Sequence, residues 1–238
     1  MAPEFKRFYR EVGVTPDERG YAVLLDGRAI RTPRKISMLV PTRALAEALA
    51  AEWAEQKETV KPRTMPLMGL ACTAIDHVRA EREKVLADMA AFGEHDLVCY
   101  WADAQPDLLN RQRVAWQPLL DWTALTFDAP LTVTRGVVPL TQAPASLAAL
   151  RSALTRYDDM ALSAVLAAIQ AAGSLVIGLA LAEGRFDAAA AFEASQLDET
   201  YQMELWGEDK EAAQRRAEIK AELDAAERFL ALLKEVNG

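Results

Sequence analysis

From Leu45 to Asp76 the chain reads LAEALAAEWAEQKETVKPRTMPLMGLACTAID, and its apolar residues fall on two helical stripes joined by a short stiff link. Leu45, Leu49 and Trp53 recur at i, i+4 and i+8, which places them along one side of a helix. Thr42, after Pro41, stands where a side-chain oxygen would accept a first-turn N–H as N-cap. The stripe stops near Glu58, where Thr59 and Val60 lead into Lys61-Pro62. Pro66 then occupies a first-turn position, where its missing N–H costs little. Leu67, Leu70, Ala71, Ala74, Ile75 and Val78 follow at helical spacing and make a wide apolar face, with Thr73, Asp76 and His77 off it. Two helices with strong packing faces and no reactive set belong to a scaffold or a binding surface.

The residues before this pair predict β-structure over 5–41. Pro16-Asp17-Glu18-Arg19-Gly20 is a turn cluster, and Tyr21, Val23 and Leu25 alternate with Ala22 and Leu24. Asp26-Gly27 is a tight hairpin signal, because a type I′ turn needs positive φ at both central positions. Ala29–Thr32 reads as the return strand ended by Pro33, and Ser37–Val40 as a further short strand.

Beyond residue 63 the pattern is nearly all helical. Helices are expected at about 80–92, from Pro106 through Leu125, at 144–157, 160–172, 174–183 and 187–206, and at about 208–236. Asp96–Trp101 is ambiguous, and Leu131–Thr134 is strand-like. Met160–Ala182 lacks charge and is about as long as a bilayer helix. It is mostly Ala, carries Gln170, Gly173 and Ser174 at its middle, and has no flanking Lys/Arg cluster or aromatic belt. It therefore reads as two buried helices broken near Gly173-Ser174. The expected fold class is α+β: a small N-terminal β-containing domain of hairpins plus helix (1–63), then a larger, mainly α-helical domain (64–238).

Charge separates the two parts. The 238 residues carry a formal net charge of −8, which argues against a nucleic-acid or anionic-membrane partner. Residues 1–63 hold 12 basic and 9 acidic side chains, whereas residues 183–211 hold 9 acidic against 2 basic. Such a cluster is either a solvated face or a surface that meets a basic or polar partner. Met1–Arg10 is polar and charged, with no apolar signal-peptide core. The two cysteines, Cys72 and Cys99, sit beside apolar residues and read as buried free thiols in a reducing compartment.

The sequence offers no positive sign of catalysis. It has no GxxxxGK[ST] loop, no GxGxxG after a strand and no GxSxG elbow. His95 lies near Glu94, Asp96 and Cys99, but the spacing matches no zinc pattern. His77, beside Asp76 at a helix end, reads as a cap or surface residue. The remaining informative block is Leu197–Glu211, LDETYQMELWGEDKE. Asp198, Glu199, Gln202 and Glu204 surround the aromatics Tyr201 and Trp206, and Gly207 is a natural helix terminator. Large aromatics among carboxylates and amides suit an interface; the alternative is a helix whose Leu197, Tyr201 and Leu205 face the core.

The hairpin DGRAIRTP (Asp26–Pro33), the segment VPTRALAEALAAEWAEQ (Val40–Gln56), the TMPL…TAID segment (Thr64–Asp76) and the LDETYQMELWG block (Leu197–Gly207) occur in this order. Together they resemble the assembly chaperones of F-type ATP synthase that act on the alpha subunit of its catalytic head. The resemblance covers about Phe5 to Gly207. Mitochondrial members continue after WG with an Asn-x-Glu-Trp-Ala-His-type run, whereas this chain reads Glu208-Asp209-Lys210-Glu211-Ala212. The resemblance implies a two-domain protein without catalysis or cofactor. It implies a partner, the unassembled alpha subunit, whose beta-facing surface is shielded. No nucleic-acid partner, metal or membrane insertion is expected, and the free protein is expected to be a monomer. The missing presequence suggests a bacterial member in the cytoplasm, with the mitochondrial matrix as the site of eukaryotic relatives. The sensitive acidic position of the family falls on Asp198 or Glu199, with Glu204 next. The partner face is then Asp198, Glu199, Gln202, Glu204, Trp206 and Glu208. Trp53, in the EW-x-x-Q pattern, matches a position the family depends on and reads as packing between strand layer and helix, and Asp26, Gly27 and Pro66 are structural. The runner-up is a small-molecule enzyme with a site between the two domains near His95, Asp96 and Tyr100.

Overall fold

The computed structural model describes residues 3–136 and 140–234. The chain divides into two compact units, Met1–Arg82 with Tyr157–Ala164 and Ala225–Gly238, and Glu83–Arg156 with Val165–Asp224.

In the first unit, β2 (Val12–Asp17) pairs antiparallel with β3 (Gly20–Leu25), and β3 pairs in turn with β4 (Arg28–Ala29) and β5 (Leu39–Val40). A separate ribbon joins β1 (Phe5–Lys6) to β6 (Thr59–Val60). The β3–β4 turn is the expected one: Leu25 faces Arg28, and Asp26 and Gly27 take φ of 47° and 78°. The Asp26 carboxylate accepts the N–H groups of Arg10 and Glu11, which holds its pKa below the usual carboxylate value. The return strand is shorter than Ala29–Thr32, because beyond Ala29 only the Arg31–Ser37 bridge continues the ladder.

Helix α1 (Arg43–Ala54) packs Leu45, Ala46, Ala48 and Leu49 inward, and Thr42 caps it by accepting the Leu45 N–H at 3.2 Å. Helix α2 (Pro66–Thr73) starts with Pro66 in its first turn and runs into a π-turn over Ala74–Val78. Its N-terminus shows why the segment holds its place. Pro66 has no N–H, Leu67 and Met68 donate to the Glu52 carboxylate at 2.8 Å each, and Gly69 donates to the Met65 carbonyl. Glu52, only 7% exposed, is thus a cap delivered from another helix. Burial pushes its pKa up to about 7 against those two N–H bonds. Gln56 fixes the link by accepting from Lys61 N and donating to Thr64 Oγ1 and the Glu52 carbonyl.

In the second unit, α3 (Arg82–Ala91) and a 3₁₀ turn lead to Asp96, and the ambiguous segment resolves as a 3₁₀ turn (Leu97–Cys99) plus β7 (Tyr100–Trp101). Strand β7 pairs parallel with β8 (Thr134–Arg135), so the strand near residue 131 begins later than its alternation suggested. Helices α4 (Pro106–Phe127), α5 (Pro144–Leu154), α6 (Asp159–Ala172, counted with the first unit up to Ala164) and α7 (Leu175–Ala182) follow. The 160–182 run breaks where expected. Gly173 takes φ 66° and Ser174 caps α7 by accepting the Ile177 N–H at 3.0 Å. Every residue of α7 is buried, and among the described residues no helix is long and apolar enough to cross a membrane.

The expected single helix over 187–206 is two, α8 (Ala188–Ser195) and α9 (Leu197–Trp206). Gln196 leaves the helical region at φ −107°, ψ 21°: its N–H closes α8 on the Phe192 carbonyl, and its own carbonyl opens α9 by accepting from Thr200. No Gly or Pro marks this break. The last helix, α10, runs Lys210–Lys234; the expected continuation to 236 lies outside the described residues.

Candidate functional site

The acidic block stands on α9 and the start of α10. Asp198 and Glu199 lie in the first turn of α9, where carboxylates meet the positive end of the helix dipole. Gly207, at φ 84°, ends α9 after Trp206, and Asp209 caps α10 by accepting the Ala212 N–H at 2.8 Å.

The six residues singled out from sequence divide between two sides of α9. Asp198 and Glu204 engage α4. Asp198 accepts from Gln112 Nε2 at 2.8 Å, and Gln112 in turn accepts the Ala102 N–H. Desolvation raises the Asp198 pKa, opposed by the Gln112 hydrogen bond. Glu204 pairs with Arg111 at 2.8 Å, and the same guanidinium lies over the Tyr201 ring. Deeper in the unit, Trp116 donates its indole N–H to the Ala194 carbonyl, which ties α8 to α4.

Glu199, Gln202, Trp206 and Glu208 face the other way and line one concave pocket of about 430 Å³, completed by Met203, Ile219 and Arg216 among others. Trp206 is 78% exposed and Leu205 55%, a large apolar area for water to cover. Glu208 pairs with Arg216 Nε at 3.2 Å, and the Arg216 guanidinium lies over the Phe192 ring. Arg216 Nη1 is buried without a hydrogen-bond partner. The pocket therefore offers an exposed indole, two carboxylates and a half-held cation.

The His95 region is arranged for structure. Asp96 is fully buried and accepts from Ser174 Oγ at 2.6 Å, Val176 N at 3.0 Å and Val98 N at 3.2 Å. Its carboxylate thus caps two helical starts, and burial pushes its pKa up to about 6 despite those bonds. His95 Nδ1 meets the Tyr100 hydroxyl at 2.9 Å. Both cysteines are free, and burial pushes Cys72 to about 11 and Cys99 to about 12, so neither supplies a thiolate near neutral pH. Among the described residues no group of three or more His, Cys, Asp or Glu could hold a metal ion.

The residues marked as structural lie in the first unit. Trp53 is half-buried, with its ring edge-on to Tyr9 at 5.6 Å and its carbonyl accepting the Tyr9 hydroxyl at 2.6 Å. Sequence reasoning missed Glu52, Gln56 and Asp76. Asp76 accepts from Thr32 Oγ1 at 2.6 Å and Arg34 N at 3.1 Å, which joins the TAID segment to the hairpin that ends in RTP. Glu52 could have been found, since it falls on the Leu45–Leu49 stripe at i+7, a charged residue at a core position.

The family model described as ATP12 chaperone protein matches residues 6–124. Protein atp12, mitochondrial, of Schizosaccharomyces pombe is 23% identical over 226 residues, covering 88% of this chain and 76% of that protein. The crystal structure of Atp12 from Paracoccus denitrificans superposes with a TM-score of 0.91 at 41% identity, over 96% of this chain and 98% of that one. A mutant of the P. denitrificans protein gives the same TM-score at 40% identity and the same coverage.

Proposed function

Since the chain belongs to the ATP12 chaperone family, the chaperones of ATP synthase assembly, we propose that it binds the unassembled alpha subunit of the catalytic head and shields its beta-facing surface. The α9–α10 face would make the contact through Glu199, Gln202, Trp206 and Glu208, with Asp198 and Glu204 setting the pose of α9. The observation that carries this reading is Trp206, 78% exposed at the rim of a pocket whose walls include two carboxylates.

The physical need is plain. A ring subunit without its neighbour exposes apolar surface and aggregates. A chaperone covering that surface must leave when the true neighbour arrives, which favours a modest, partly polar interface over a large apolar one. In this reading the protein is a free monomer, acts in the cytoplasm of a bacterial cell, and completes its work without catalysis or cofactor.

The test is capture of isolated alpha subunit by the tagged protein, followed by addition of beta subunit. Capture that beta reverses supports the reading. Folded protein that captures no alpha subunit overturns it.

A further inference from the structure

A second concave surface, in the first unit, is unused by the α9–α10 reading. It measures about 550 Å³ and is walled by the segment Phe5–Tyr9 on one side and Leu25–Arg31 on the other, with Trp53 of α1 between. Its surface is aromatic. Phe8 stacks near Phe5 at 6.3 Å and meets Tyr9 edge-on at 5.4 Å, and Tyr9 meets Trp53 in the same way. Phe8 is nevertheless 70% exposed and Phe5 39%. Neither is held out by a short loop: Phe5 is paired in β1, and the Arg7 N–H donates to the Glu58 carbonyl. The aromatic rims are presented by ordered backbone.

The charges beside the aromatics are mostly positive. Arg28 and Arg31 line the groove and are exposed. Among the described residues the Arg28 guanidinium has no ionic or hydrogen-bond partner, and that of Arg31 reaches only the Lys35 carbonyl at 3.4 Å. The one acid in the lining, Asp26, accepts the N–H groups of Arg10 and Glu11 on a single oxygen, Oδ1, and is outnumbered by the two arginines. Residues 1–63 as a whole carry 12 basic against 9 acidic side chains, whereas the α9–α10 face is acidic. An occupant that covers Phe8 must bring apolar surface, and one that satisfies Arg28 must bring a carboxylate.

We propose that this groove is a second client-binding surface, taking a client segment that carries an apolar or aromatic side chain beside a carboxylate. The proposal rests on the chaperone's binding of the alpha subunit, and it gives the chaperone two contacts of opposite charge preference. Two modest contacts on one client raise affinity through effective concentration while each stays weak enough to be peeled away in turn.

The test titrates isolated alpha subunit into the full-length protein and into Phe8→Glu, Arg28→Glu and Glu199→Lys variants. The ¹⁵N signal of the Trp53 indole N–H reports on the groove, because that group is buried without a partner in its wall. The expected result is about tenfold weaker binding for each groove variant with thermal stability unchanged, since both side chains project from the surface. At saturation the indole signal should move in the unaltered protein and in Glu199→Lys alike. Groove variants that bind within about twofold of the unaltered protein overturn the groove proposal alone. Absence of any capture by the unaltered protein overturns both readings. Self-association that Phe8→Glu abolishes would assign the groove to a second copy of the chain and would also overturn the proposal.

Discussion

Glu52 gives the sharpest test of how the first unit is held together. Its carboxylate accepts the Leu67 and Met68 N–H groups at 2.8 Å each, and it is 7% exposed. Glu52→Gln keeps the shape but turns one acceptor oxygen into an NH₂ that faces an N–H donor. Relative to the ionised carboxylate, one buried backbone N–H then loses its partner, a cost of about 1–3 kcal/mol. The cost should depend on pH. Burial raises the Glu52 pKa from 4.5 to about 7, outweighing the two N–H bonds that favour the ionised form. A folded-state pKa above the unfolded value means that the folded protein binds the proton more tightly. The stabilising contribution is therefore complete below about pH 4.5 and is lost as pH rises through about 7. The span of the shift corresponds to about 3 kcal/mol, and Gln does not titrate. At pH 5 the folded-state carboxyl is neutral and, like the amide, keeps one acceptor oxygen, so the two proteins should be nearly equal; by pH 8 the unaltered protein should be the less stable by about 2–3 kcal/mol. Urea unfolding of both proteins at a series of pH values measures the gap, with all other ionisable groups common to both. Unaltered protein that holds or gains stability relative to Glu52→Gln as pH rises would mean that the N–H bonds outweigh desolvation, and the argument would fail.

Three further outcomes are expected. Asp96→Asn should destabilise by about 1–3 kcal/mol in chemical denaturation, because the amide cannot accept from Ser174, Val98 and Val176 together; an unchanged midpoint would remove its capping role. Gly178→Ala should cost about 1–3 kcal/mol by overpacking, since the added Cβ would lie 2.4 Å from Ile169 Cγ1 and 3.0 Å from the Ile169 backbone nitrogen; a neutral result would show that α6 and α7 separate easily. Glu199→Lys, at an exposed position, should weaken capture of alpha subunit while shifting unfolding free energy by no more than about 0.5 kcal/mol; a collapse in stability would make Glu199 structural and end its assignment to the interface.

Signals that act within a few residues were legible in the sequence. The Thr42 cap, the Asp26-Gly27 turn, Pro66 in the first turn of α2 and the Gly173-Ser174 break all stand where the chain's local chemistry put them. Interactions across long sequence separations were not. Asp76 looks like one more surface carboxylate until Thr32 and Arg34 are brought to it across more than forty residues. Asp96 sits in an apolar run whose type periodicity left open, and only its distant partners, Ser174 and Val176, explain a buried acid there. The composition change near residue 63 marks where hairpins give way to helices, whereas the compact units follow contacts that no local pattern records. The break at Gln196 had no Gly or Pro to announce it.

The division of α9 into two sides bears on function. At about 100° per residue, Asp198 and Glu204 fall on one side of α9 and Glu199, Gln202 and Trp206 on another. Asp198 and Glu204 are held by Gln112 and Arg111, while Glu199, Gln202 and Trp206 line open space. Removing a held carboxylate leaves the Gln112 Nε2 without its acceptor, or Arg111 with Asp107 alone, and loosens the hold of α4 on α9. Removing a pocket carboxylate disturbs only what the pocket would bind. Two substitutions one residue apart, Asp198→Ala and Glu199→Ala, therefore separate support from contact. The first should lower both stability and client capture, the second capture alone. Equal effects on both would mean that the acidic block acts through its summed charge rather than through a shaped surface.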